Sequence, residues 1–299
     1  MVIFMRVIFM NKTKYYIGII FVIIIWGIAP NLSKYLLGYY NAATYNLFTS
    51  LIAFLGMLAI CANKLGKINL SYFKVAVPTG LFYSCAVILQ KVGLDYTTPA
   101  KYAFLENFSI LVVPILMYVF TRQKITPLKI ISALLCLLGM FILCDVTPKT
   151  LLTLNKGDIL CALSGIFYGV NIAGTAVYSK KFESSLYLLI QFFIHAVISL
   201  IYFLFLGEAI EVSFGFMPLI ILIVAVLISN ILGWIIRTKC LIHLDATFVA
   251  IAMPFSSVIT AVISVIIGTD KLTTNLIISI PVITFAIILS SLKLRFNEK

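Results

Sequence analysis

Along the chain, apolar residues come in long unbroken runs separated by short polar or turn-rich breaks. The runs predict helices near 15–36, 42–62, 75–93, 101–120, 128–145, 158–179, 186–206, 214–236, 245–267 and 274–293. Each is long enough for ~30 Å of hydrocarbon at about 1.5 Å of rise per residue. Tyr15–Tyr16, Tyr39–Tyr40 and Tyr72–Phe73 fall at the predicted water interfaces, where amphipathic rings are favoured. No long hydrophilic stretch interrupts the series, so no soluble catalytic domain is expected.

The pattern also repeats. A gapless shift of 147 residues aligns Leu94 with Leu241, Phe108 with Phe255, Ser109 with Ser256, Lys124 with Lys271, Thr126 with Thr273 and Ser132 with Ser279. Apolar matches are cheap in such a chain, so the Ser, Thr and Lys pairs carry the weight. A different shift pairs Trp26–Gly27 with Tyr168–Gly169 in the first helix of each half. The reading is a tail at 1–14, one five-helix repeat at 15–145, a second at 158–293 and a tail at 294–299. Five is odd, so the second repeat enters the membrane upside down. The predicted fold class is therefore all-α integral membrane, with ten transmembrane helices in two inverted repeats. Secondary transporters use this architecture to expose one central site to each side in turn.

Charge fixes the orientation. With ten spans and a cytosolic N-terminus, sixteen of the 22 Lys and Arg fall inside and only Lys34, Lys91, Lys101, Lys149, Lys156 and Lys271 outside. Both termini are expected in the cytosol. Arg122, Lys124 and Lys129 crowd an inner connection, whereas in its outer repeat mate Asp270 balances Lys271.

Composition agrees: 63% of residues are hydrophobic and 11% charged, against roughly a quarter charged in soluble domains. The net charge of +12 sits in short loops rather than a basic stripe, which argues for lipid and against nucleic acid. Six cysteines lie within apolar runs without CxxC spacing and read as small buried hydrophobes. Met1 to Met10 lack a polar cleavage region and read as a cytosolic tail, with Met5 and Met10 as alternative starts.

Residues 93–114, GLDYTTPAKYAFLENFSILVVP, resemble the third-to-fourth helix passage of the EamA family, within the drug/metabolite transporter superfamily. Trp26–Gly27 resembles that family's opening motif. The family often carries Gly-Glu after its fourth and ninth helices; here Arg122–Gln123 and Thr269–Asp270 stand there. The resemblance implies a two-copy, ten-helix carrier of amino acids or other metabolites with no metal or organic cofactor.

Candidate substrate-binding residues are Trp26, Asn31, Lys34, Gln90, Glu106, Asn107, Tyr168, Asn171, Asn230 and Trp234. Glu106 lies about five residues into the fourth helix, where a carboxylate is costly in lipid and should face the bundle. It is also the proton-coupling candidate, or it binds a substrate amine; a structural ion pair is the competing reading. Lys34, Lys91 and Lys101 lie at similar depth, and mixed charge suits a zwitterion, although snorkelling explains Lys91 and Lys101. Pro30 frees a carbonyl beside Asn31, as an interrupted transporter helix needs, while Asn31 as interhelical glue is the alternative. Tyr168 and Asn171 match the first helix in depth. Asn230, Trp234 and Arg237 share one face at i, i+4 and i+7. Arg237 aligns with Gln90 and reads as an interfacial anchor, with binding of an anionic group near the inner opening as the alternative, and Met253 stands where the first half has Glu106. His195 at mid-span is a lone membrane histidine, a weaker candidate.

No HExxH, Gly-rich phosphate loop or Walker lysine occurs, so ATP is not expected to drive the protein. The leading expectation is a multi-pass carrier of the cytoplasmic membrane that exports an amino acid or related compound. An uptake carrier or exchanger for a nucleotide-like metabolite stays open, as does an intramembrane enzyme on lipid-linked substrates. Protons are a candidate coupling ion and a homodimer a candidate assembly.

Overall fold

The computed structural model describes residues 2–94, 96–97, 99–122, 125–146, 154–206, 216–269 and 271–292, and its architecture is all-helical. In chain order the helices are α1 Val2–Leu36, α2 Ala42–Cys61, α3 Leu70–Leu94, α4 Pro99–Glu106, α5 Ser109–Thr121, α6 Pro127–Leu143 and α7 Lys156–Tyr178. They continue as α8 Ser184–Leu206, α9 Phe216–Ala225, α10 Gly233–His243, α11 Ala246–Ala252, α12 Phe255–Ile267 and α13 Thr274–Ser291. A 3₁₀ turn, Ala62–Lys67, follows α2, and a π-helical segment, Val226–Leu232, joins α9 to α10.

Among the described residues, nine stretches are long and apolar enough to cross a membrane, and Pro127–Leu143 is a shorter apolar helix. Phe205, Phe216 and Ile266 are 90%, 82% and 78% exposed, and dozens of Ile, Leu and Phe join them outside. Lipid is the solvent that suits such a surface, so this is a multi-pass membrane protein. All six cysteines are unpaired; five are buried and Cys85 is half-buried.

The expected fourth helix is in fact two, α4 and α5, broken at Asn107–Phe108, and the ninth is likewise split into α11 and α12 at Met253–Pro254. At the second break Pro254 removes an N–H and crowds the preceding turn. At the first, the Asn107 N–H bonds to Phe104 O at 3.2 Å in 3₁₀ fashion. The Asn107 side-chain amide then takes the Ala103 carbonyl at 2.7 Å. α1 behaves differently: it passes through Pro30 without interruption.

Contacts run mainly between the halves. α3 lies along α7 and α8, α2 along α8, α6 along α13, and α5 along α7 and α11, while α1 packs on α10 and α12. On α7, Gly157, Cys161, Gly165, Gly169 and Ala173 recur every fourth residue and form one smooth ridge. A Cβ on Gly165 would stand 2.6 Å from the Glu106 carbonyl oxygen and 2.7 Å from that of Leu105. The glycine therefore lets α7 reach the break in the opposing helix. Further along, a Cβ on Gly169 would meet Val112 at 2.7 Å and the Ser109 Cα at 3.4 Å. On α1 the counterpart Gly27 meets Ile259 at 2.5 Å and the Ser256 carbonyl at 3.0 Å.

Candidate functional site

Glu106, the last residue of α4, points its carboxylate at the Gln90 amide of α3 and the Tyr102 hydroxyl one turn earlier. Gln90 Nε2 donates to Tyr102 Oη at 2.5 Å, and Tyr168 Oη of α7 donates to Gln90 Oε1 at 3.1 Å. The chain Tyr168–Gln90–Tyr102–Glu106 thus links three elements. Tyr102, Glu106 and Tyr168 lie deep in the bundle, and all four side chains keep some accessible surface. The cluster combines a carboxyl, two hydroxyls and an amide.

A second cluster surrounds Arg237 on α10, which is only 2% exposed. Its guanidinium carbon stands 4.5 Å from the Trp234 ring centroid and 5.8 Å from that of Trp26. Tyr83 packs edge-on against Trp234 at 4.6 Å and against His195 at 4.8 Å. The π segment explains how Trp26 gets there. The Gly233 N–H bonds back to Ile228 O rather than Ser229 O, and the freed Ser229 carbonyl accepts the Trp26 indole N–H at 3.0 Å. Gly233 is required as well, because a Cβ there would lie 2.8 Å from Trp26 Nε1.

Of the ten residues singled out from sequence, the structure gathers Gln90, Glu106 and Tyr168 at one cluster and Trp26 and Trp234 at the other. Asn31 is consumed in packing: its Nδ2 donates to Thr260 O at 3.3 Å and its Oδ1 accepts from Ser264 at 2.9 Å. Asn171 is fully buried and donates to the Thr79 carbonyl at 3.1 Å, gluing α7 to α3. Asn107 caps its own helix end, and Asn230 accepts from the adjacent Ser229 hydroxyl at 2.9 Å. Lys34 is exposed in the last turn of α1. Lys91 does not snorkel; it turns inward and donates to Asn46 Oδ1 at 2.7 Å. The Lys101 side chain, and Lys149, Lys124 and Asp270, lie outside the described residues.

Four cluster members stood outside those ten candidates: Arg237 and His195, which the sequence reading weighed separately, and Tyr102 and Tyr83, which it did not single out. The i, i+4 spacing of Tyr102 to Glu106 is a signal the sequence offers; that of Tyr83 appears only once α3, α8 and α10 are packed. Among the described residues, no group of three or more His, Cys, Asp or Glu comes together to hold a metal ion.

The model of the EamA-like transporter family matches the chain twice, at residues 13–144 and 155–292. A protein of Archaeoglobus fulgidus named only as an uncharacterized transporter is 26% identical over 164 residues, covering 55% of this chain and 49% of that protein. The match thus spans about half the length of that relative. A solved structure described only as a crystal structure of a protein superposes with a TM-score of 0.77 at 12% identity. The superposition covers 96% of this chain and 99% of the other, a likeness of fold.

Proposed function

The chain belongs to the EamA-like transporter family, and from that premise we propose that it is a secondary carrier working by alternating access. Its cargo is a small polar metabolite, an amino acid or related compound, exported across the cytoplasmic membrane with both termini in the cytosol. The observation that carries this reading is the paired docking of the halves. Gly169 meets Ser109 and Val112, Gly27 meets Ser256 and Ile259, and the second pair of partners is the first displaced by 147 residues. Equivalent contacts made reciprocally are what two inverted five-helix repeats produce, and such halves can rock against each other about a shared interior. The cluster at Glu106 and the cage at Arg237 supply an acidic and a basic group, which suits a zwitterion, with Glu106 as the residue that binds an amine or carries a proton.

Counterflow in proteoliposomes tests this directly. Vesicles preloaded with an unlabelled amino-acid panel should accumulate the matching labelled amino acid transiently and saturably, and a proton gradient should change the rate. Absence of counterflow across the panel would remove the amino-acid reading.

A further inference from the structure

The two clusters differ in how their charge is answered. Glu106 meets Gln90 and Tyr102, whereas the buried Nε and Nη1 of Arg237 have no hydrogen-bond partner. A buried cation needs compensation. The indoles of Trp26 and Trp234 supply part of it through their ring faces. They cannot supply an acceptor, because a guanidinium donates in its own plane. The hydroxyls of Tyr83, Tyr168 and Tyr187 nearby do not fill that role, since none of them hydrogen-bonds either nitrogen.

We propose that Arg237 is the anion-binding residue of the transport pathway and takes the carboxylate or phosphate group of the substrate within the Trp26–Trp234–Tyr83 cage. The inference deepens the carrier reading and rests on it. A planar guanidinium pairs with either anion through two parallel N–H bonds, and docking on either of its edges engages Nε or Nη1. Trp26 and Tyr168 keep accessible surface, and a solute would reach the guanidinium along these two rings. One guanidinium offers one positive charge, and the inward-turned Lys91 is already bonded to Asn46. A singly charged carboxylate is therefore the better match, and a doubly charged phosphate the poorer one.

The chain holds only two tryptophans, and both face this guanidinium, so intrinsic fluorescence reports on the site without a label. Purified protein in detergent micelles is titrated with sodium acetate, sodium phosphate and ethylammonium chloride at matched ionic strength. Acetate should give a saturable fluorescence change and raise the melting temperature. Ethylammonium should do neither. A stronger response to phosphate than to acetate assigns a phosphoryl substrate to the same site. R237Q should weaken the anion response by at least about tenfold, the scale of a lost charged hydrogen-bond pair, while R237K retains part of it. No saturable response to either anion in the unaltered protein, or an undiminished one in R237Q, overturns the proposal. Amino-acid counterflow that persists at full rate in R237Q also overturns it but leaves the carrier reading standing. A saturable, Arg237-dependent anion response without any amino-acid counterflow keeps the site and removes that choice of cargo.

Discussion

The cluster at Glu106 and the cage at Arg237 include residues that align between the two family matches, yet one is acidic and the other basic. Gln90 aligns with Arg237, Glu106 with Met253, and Tyr168 with Trp26. The backbone features are kept: both halves have a broken helix at the matched place and a glycine that lets the facing helix approach it. The side chains are not. Hydrogen bonds from Tyr168 and Gln90 fill the first cluster, while stacked aromatic rings on a cation fill the second. Packing geometry is common to the halves and chemistry is what separates them, so the asymmetry marks where a polar solute would be oriented.

The largest effects should come from the shared packing. Gly165→Ala places a methyl group 2.6–2.7 Å from two backbone carbonyls, which cannot rotate away. Gly27→Ala meets first the Ile259 side chain at 2.5 Å and the Ser256 carbonyl only at 3.0 Å, so part of its clash can relax. Overpacking of this kind costs about 1–3 kcal/mol. G165A should fall at the upper end, with a lower melting temperature and less protein in the membrane than G27A. Equal melting temperatures for the two would show that the break at Asn107–Phe108 is as adaptable as a side chain.

Next comes the acidic cluster. Glu106→Gln keeps the volume and removes the ionisable carboxyl that Tyr102 and Gln90 face. Transport should drop about tenfold or more, the scale of a hydrogen bond to a charged group, and lose its pH dependence, with expression unchanged. Normal transport at every pH would take Glu106 out of the mechanism.

How much of this can be read from the chain differs between the elements. The spans follow from apolar runs because lipid imposes length and composition together. The break at Met253–Pro254 has a proline to announce it. The one at Asn107–Phe108 does not, since Pro114 lies more than a turn later; it needs the Asn107 side chain and the close approach of Gly165, a tertiary contact. The π segment is equally silent in sequence, because what stabilises it is the Trp26 indole, 203 residues away along the chain. The site divides in the same way. A carboxylate inside an apolar run stands out by its cost, which is why Glu106 is legible. Arg237 looks like an interfacial anchor until α10 is packed against α1 and α3, and only then is it seen to be buried among rings.

A milder change tests the link between the Glu106 cluster and the cage. Tyr168→Phe removes the hydroxyl that bonds Gln90 at 3.1 Å but keeps the ring 6.3 Å from Tyr83. The loss is one neutral hydrogen bond, about 0.5–1.5 kcal/mol, so apparent affinity in counterflow should weaken severalfold and maximal rate little. An effect as large as that of E106Q would mean that the Tyr168 hydroxyl itself contacts the substrate.

The smallest effect belongs to the ends of the bundle, where the halves also differ. At one end Lys64 donates to Glu183, Lys67 stands 3.6 Å from the same carboxylate, and Lys129 meets Asp245 at 2.7 Å. At the other, no Lys or Arg partner is involved where the Asn275 amide donates to the Asp145 carboxylate at 2.8 Å. The hydrogen bond from Lys64 is the main cause holding the Glu183 carboxyl below its ordinary value of 4.5. A carboxyl lowered on folding stabilises the folded state above its ordinary value, and that contribution disappears as pH falls through the lowered one. Melting curves of the unaltered protein and E183Q should therefore differ slightly at neutral pH and converge in acid. Added salt should narrow the gap too, because exposed pairs are screened. A gap that persisted in acid would assign Glu183 a packing role instead of an electrostatic one.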